Sequence, residues 1–174
     1  MRRARAGAPP SNMGSRSEGR SAYVDALYLL SRREVSEHQL RAHLAERDHE
    51  RDEIDTAVER LREEGSLDDG RVARAYARTA LKVKGRGRLR IQRELQEIGI
   101  SKDVAAQALA ETFGDVDERA LIARAVEKKL RGGKAIDSTA AYARLYQYLM
   151  RQGFSPSGVS AALRALRKAS RDSE

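Results

Sequence analysis

The chain of 174 residues carries 34 Lys and Arg against 26 Asp and Glu, a net charge of +8, and it has no cysteine. Disulfides, thiolate metal sites and a cysteine nucleophile are thereby excluded, and the basic excess points to polyanionic partners while saying nothing about fold. No apolar run approaches the roughly 18 to 20 residues that span a bilayer, so no membrane partner is expected.

Residues 1–20, MRRARAGAPPSNMGSRSEGR, hold Arg, Gly, Pro and Ser without an apolar stretch of the secretory kind. They read as a disordered basic arm, either an inert tail or a segment that touches DNA. With the missing cysteines, which fit a reducing compartment, this makes a cytoplasmic protein the expectation. Beyond the arm only one proline remains, Pro156, and Ala, Leu, Arg, Glu and Lys dominate, all good helix formers.

The apolar residues recur at helical spacing. Tyr23, Ala26, Leu27 and Leu30 make a first stripe, Leu40 and Leu44 a second, and Ile54, Val58 and Leu61 a third. Val72, Tyr76 and Val83 follow, then Ile91, Leu95 and Ile98. Start signals accompany them: Ser36 with Gln39 predicts a capping box, Asp115 with Glu118 a similar one, and Ser155 before Pro156 an N-cap with proline in the first helical position. Gly65, Gly99, Gly114 and Gly153 fall where helices should end.

The chain repeats itself. ELQEIGISKDVAAQALAETF aligns with QYLMRQGFSPSGVSAALRAL at an offset of 54, pairing Leu95 with Leu149, Gly99 with Gly153 and Leu109 with Leu163. HLAERDHERDEIDTAVERL joins at an offset of 51, with Asp48 where the glycine would stand. Each unit is one helix followed by two shorter helices with a tight joint. The expected fold is all-α: three tandem three-helix repeats, at 21–66, 67–114 and 115–168, stacked into an elongated rod whose curvature the sequence leaves open, with a polar tail at 169–174.

Charge is segregated along these units. Residues 21–70 carry seven basic and fourteen acidic side chains, net −7; residues 71–113 carry ten and four, net +6; residues 114–174 carry twelve and seven, net +5. A protein that merely coats DNA has no use for an acidic first third, so a composite partner exposing both signs is expected.

The densest basic feature is KVKGRGRLR, with Lys82, Lys84, Arg86, Arg88 and Arg90 at every second position. Its apolar partners are missing, so it reads as a corner between helices running into a new helix near Arg88, not as a strand. One use is a phosphate grip: the cations neutralise phosphate, the glycines let backbone approach closely, and a helix N-terminus adds N–H donors. The alternative is a solvated corner. Lys128, Lys129, Arg131 and Lys134 surround a Gly-Gly step and either bind an anion or complement a helix dipole. Arg144 and Arg151 sit on the following helix, and Arg164, Arg167 and Lys168 share one face of the last. Tyr142, Tyr146 and Tyr148 among them either stack bases or pack the core.

Other constellations point to plain roles. Asp68 and Asp69 could hold a cation or transfer protons, but before a helix they read as an N-cap with a first-turn acid. His38, His43 and His49, in an acidic exposed stretch, lack the i, i+4 spacing of a metal-binding helix. No phosphate loop ending in Lys-Ser/Thr, no nucleophile elbow and no nucleophile beside a base is present, so neither an enzyme nor a cofactor nor a small-molecule substrate is expected.

Taken in order, AYVDALYLLSRREVSEHQLRAHL at 22–44, EGSLDDGRVARAYAR at 64–78, GRGRLRIQRELQEIGIS at 85–101 and YLMRQGFSPSGVSAAL at 148–163 resemble the RecX family, bacterial regulators of the RecA recombinase. None of these segments is a catalytic signature; their joint order and spacing carry the likeness. Ser66 stands where the family often has an aromatic, and Val72 where it often has Phe, both packing changes. The resemblance implies three tandem three-helix repeats. It also implies binding to the RecA filament on single-stranded DNA, inhibition of ATP hydrolysis and strand exchange, and a place in repair, recombination and SOS control. In that setting Lys82, Lys84, Arg86, Arg88, Arg90, Arg93, Lys128, Lys129, Arg131, Arg144, Arg151, Arg164, Arg167 and Lys168 are candidates for holding DNA or filament. Glu46, Asp48, Glu50, Asp52, Glu53, Glu59, Glu63 and Glu64 are candidates for facing basic recombinase elements. A monomer is expected from the polar surface. A general nucleic-acid binder and a helical scaffold for another protein remain as alternatives.

Overall fold

The structure, a computed structural model, describes residues 20–131 and 138–171. Among these residues there are nine helices and no strand: α1 (Ala22–Arg32), α2 (Glu37–Ala45), α3 (Arg51–Glu63), α4 (Asp69–Lys82), α5 (Arg88–Glu97), α6 (Lys102–Phe113), α7 (Glu118–Leu130), α8 (Thr139–Gln152) and α9 (Pro156–Arg171). Among the described residues no helix is long and apolar enough to cross a membrane.

Each successive triplet packs on itself, and every substantial helix-on-helix face falls inside one triplet. Three separate cores result. The first is built on Leu40, Leu44, Val58 and Leu61, the second on Ile91, Leu95, Ile100 and Leu109, and the third on Ile122, Leu149, Phe154 and Val159. A fifty-residue unit buries little apolar surface by itself, so the joints between units matter.

Local signals set most helix ends. Ser36 and Gln39 form both halves of the capping box, and the Ser155 hydroxyl accepts the Gly158 N–H ahead of Pro156. Gly153 closes α8 in the left-handed region, φ 87°. The box predicted at Asp115 and Glu118 does not form: Asp117 caps α7, accepting the Arg119 N–H, and this frees Glu118 to accept both the N–H and the hydroxyl of Ser155 at the start of α9.

Two apolar stripes need correction. Leu27 faces solvent, and α1 buries Ala22, Asp25, Ala26 and Leu29 instead. Val83 lies just past α4, where the rotation no longer returns it to the core, and is 75% exposed.

The joints share one construction. Between units one and two, the Ser36 hydroxyl at the head of α2 donates to the Ile98 carbonyl at the tail of α5, the Glu37 N–H donates to Asp69 Oδ1 at 2.8 Å, and Gly99 lies so close to His38 that a Cβ there would overlap it. Between units two and three, the Gly87 and Leu89 N–H groups at the head of α5 donate to the Gln152 and Gly153 carbonyls at the tail of α8, at 2.8 and 3.0 Å. The second helices of the three units therefore meet end to end, the tail carbonyls accepting from the Ser36 hydroxyl at the head of α2 and from backbone N–H groups at the head of α5.

Candidate nucleic-acid and protein interface

The basic ladder lies between α4 and α5, as a corner that enters a helix at Arg88. Its alternate residues do different work. Arg86 is half-buried; its Nη1 donates to Glu94 Oε2 at 2.5 Å and to the Tyr76 hydroxyl at 3.3 Å. Arg90 donates to Glu94 Oε1 at 2.9 Å and to the Arg151 carbonyl at 3.3 Å. Glu94 thus sits between two guanidiniums and also accepts the Tyr76 hydroxyl at 3.0 Å. Burial pushes the Glu94 carboxyl up, but the bonds from Arg90 and Tyr76 and the Arg86 charge outweigh it and hold the group below its ordinary value. Burial and the bond to Glu94 raise Tyr76.

The expectation of a phosphate cradle in this corner is overturned in its backbone part. Gly87 is buried against Gly153, and a Cβ on it would overlap the Gly153 carbonyl. The Gly87 and Leu89 N–H groups are taken by α8, so neither the glycine nor these two donors at the head of α5 are open to an anion. The glycine serves the joint between units.

The remaining cations of the corner are exposed. Lys82, Arg88 and Arg93 have no ion-pair partner among the described residues, and Lys84 lies 5.8 Å from the Tyr76 ring centre. Arg93 and Arg151 flank a cleft of about 480 Å³ at the α5–α8 joint, with Met150 among its walls and Glu94 and Glu97 beside them.

In the third unit, Lys128, Lys129 and Arg131 are exposed at the end of α7, and Lys129 rests over the Tyr148 ring at 5.0 Å. Lys134 falls outside the described residues. Arg144 and Arg151 project from α8, and Arg164, Arg167 and Lys168 from α9, all exposed. Tyr142, Tyr146 and Tyr148 are half-buried against the third core, which is the packing role.

The acidic set surrounds the α2–α3 turn and the outer face of α3. Glu46, Glu50, Asp52, Glu59 and Glu63 are exposed, and Asp48 occupies a left-handed position, φ 61°. Glu53 reaches to 3.6 Å from His49. Glu64 is engaged within the unit by the Tyr23 hydroxyl and Arg60 Nε, both at 2.8 Å, and Arg60 also lies over the Tyr23 ring. The bonds from Arg60 and Tyr23 lower the Glu64 carboxyl.

His49 is not the exposed residue expected. Its side chain is 6% exposed and its Nε2 lies 3.1 Å from Asp25 Oδ2, with Arg47 Nη1 at 3.4 Å from the same oxygen. Asp25 is itself buried, and its Oδ1 has no hydrogen-bond partner among the described residues. Burial raises that carboxyl, and the His49 bond and the Arg47 charge more than offset it, leaving it below its ordinary value. Sequence reasoning missed this pair because an aspartate one turn into an apolar helix gives no signal of direction. Asp68 caps α4 through the Arg71 N–H, as expected. Asp69 reaches across to α2, and burial raises its carboxyl. No group of three His, Cys, Asp or Glu suited to a metal occurs among the described residues.

The first, second and third three-helix domains of RecX are matched at residues 22–61, 68–109 and 117–163. The regulatory protein RecX of Halorhodospira halophila is 35% identical over 80% of this chain and 84% of its own length, and that of Vibrio parahaemolyticus is 36% identical over 79% and 86%. The RecX of Geobacillus kaustophilus is 36% identical over 84% of the chain, which spans 54% of that longer relative. The crystal structure of RecX from Lactobacillus salivarius superposes with a TM-score of 0.71 at 21% identity, covering 84% of this chain and 94% of that one, and so shares the fold. With three consecutive domain matches in register with its three helical units, the chain belongs to the RecX family of regulatory proteins.

Proposed function

We propose that the protein is a negative regulator of the RecA recombinase, binding the recombinase filament on single-stranded DNA and inhibiting its ATP hydrolysis and strand exchange. It is not an enzyme in this reading, needs no cofactor, and acts as a cytoplasmic monomer in DNA repair and SOS control. The observation that carries the reading beyond the family name is charge segregation on a helical array. Exposed cations of units two and three suit a phosphate backbone, while exposed carboxylates of unit one would be repelled by it and suit basic protein elements. Such an array biases the filament only by binding one of its states better than another.

The test is recombinase ATP hydrolysis on single-stranded DNA, with the protein well below the recombinase concentration and a parallel run in excess DNA. Inhibition that survives excess DNA supports the reading. Inhibition that excess DNA abolishes means a basic protein hiding the substrate, and no inhibition in either run leaves a scaffold for some other partner.

A further inference from the structure

Five large hydrophobic residues stand well exposed among the described residues, and three lie on α1: Val24 at 46%, Leu27 at 37% and Tyr28 at 49%. Their i, i+3, i+4 spacing puts them on one face, opposite the face that buries Ala22, Asp25, Ala26 and Leu29. The helix departs from an ordinary surface helix: its one carboxylate points inward, and although Leu29 is buried and Tyr23 and Leu30 pack against the core, three of its large apolar side chains point out. Asp25, through His49 and Arg47, ties α1 to the α2–α3 turn, so the outward face is held in a fixed setting.

A second copy of the chain is a poor occupant. Three partly exposed side chains fall far short of the roughly 800 Å² per partner that a stable pairing buries, so the strip belongs inside a larger contact. Its surroundings indicate the partner's chemistry. Arg32 lies over the Tyr28 ring at 5.2 Å, but the wider unit is acidic: a groove of about 360 Å³ at the α1–α3 seam, between Ser21–Tyr23 and the first turns of α3, has Asp52 and Glu53 in its wall, and residues 21–70 carry net −7. That field disfavours a polynucleotide and favours a protein surface that presents basic groups around an apolar recess. We propose that Val24, Leu27 and Tyr28 are the apolar anchor through which the first unit docks a basic face of the recombinase protein, separately from the DNA held by units two and three. This rests on the function proposed above.

The test measures binding of the full chain to recombinase assembled on single-stranded DNA, and to the same DNA alone. The chains compared are wild type, the double variant Leu27→Ser with Tyr28→Ser, and Leu27→Met. The double variant should bind the assembled recombinase at least about tenfold more weakly, keep its affinity for bare DNA, and Leu27→Met should bind like wild type. Val24→Arg, which sets a cation against a basic partner, should weaken binding more than Val24→Glu. Equal binding by the double variant, an equal loss on bare DNA, or a reversed order of the Val24 pair would overturn the anchor. Failure of the wild-type chain to bind assembled recombinase better than bare DNA would overturn the functional reading itself, a distinct result.

Discussion

Gly87, the residue before α5, donates its N–H to the Gln152 carbonyl at the end of α8 at 2.8 Å. The Ser36 hydroxyl makes the corresponding bond to the Ile98 carbonyl at the other joint. Ser36 and Gly87 stand 51 residues apart, and Ile98 and Gln152 stand 54 apart, the same offsets that relate the repeats. The two joints therefore occupy equivalent positions of the repeat. They join the units through helix ends by polar contacts, and between units two and three Leu121 also packs against both cores.

Gly153 therefore carries two demands. Its φ of 87° suits glycine, and a Cβ would collide with the backbone and side chain of Arg90. Gly85 has a similar φ of 62° but open space around it. Gly85→Ala should cost the left-handed strain alone, about 1–2 kcal/mol, and Gly153→Ala about 2–4 kcal/mol, since overpacking adds to the strain. Urea unfolding of the two variants checks the difference; equal costs would mean that the joint yields freely.

Glu94 binds the ladder together by accepting from Arg86, Arg90 and Tyr76. Glu94→Gln should destabilise the protein by about 1–3 kcal/mol, the range for bonds to a charged group. Because the folded carboxyl lies below the ordinary value of 4.5, its stabilising contribution is complete above that pH and is lost as pH falls through the depressed value. The gap in unfolding free energy between wild type and Glu94→Gln should narrow as pH falls from 6 toward the depressed value.

The helical class, the three units, the Ser36 box, the Asp68 cap and the Gly153 stop were legible because each is local: a period, a cap or a stop lies within a few residues. The ladder's corner was legible for the same reason. What escaped is contact over long separations. Nothing near Gly87 announces Gln152, and nothing near Asp69 announces Glu37. Arg86 and Arg88 look alike in sequence, yet one is paired by Glu94 and the other is exposed. The outward Leu27 and inward Asp25 escaped because α1 offers apolar residues on nearly every face, so periodicity could not choose which face to bury.

Asp25 gives a second acid-sensitive element, in the first unit. Asp25→Asn keeps the shape but must place an amide N–H₂ either against His49 and Arg47 or at the position where Oδ1 has no partner. A cost of about 1–3 kcal/mol follows. The folded carboxyl is lower than its ordinary 3.8, so the contribution is present above that pH and disappears as pH drops through the lowered value. Amide exchange should report the loss first in α1 and the α2–α3 turn, leaving units two and three protected, since the three cores are separate.

The division between paired and exposed cations predicts opposite phenotypes within one short segment. Lys82→Ala, Arg88→Ala and Arg93→Ala remove exposed charges; each should leave the unfolding free energy within about 0.5 kcal/mol of wild type. Each should also lower the salt slope for single-stranded DNA binding by about 0.7. Arg86→Ala removes a guanidinium that Glu94 and Tyr76 hold. It should cost about 1–3 kcal/mol in stability and leave the salt slope nearly as it was. Charge reversal at Asp52 and Glu59 completes the set: it should strengthen binding to bare DNA while weakening inhibition of the recombinase. If reversal strengthened both, the first unit would be only an electrostatic brake on DNA binding, and its assignment to protein contact would fail.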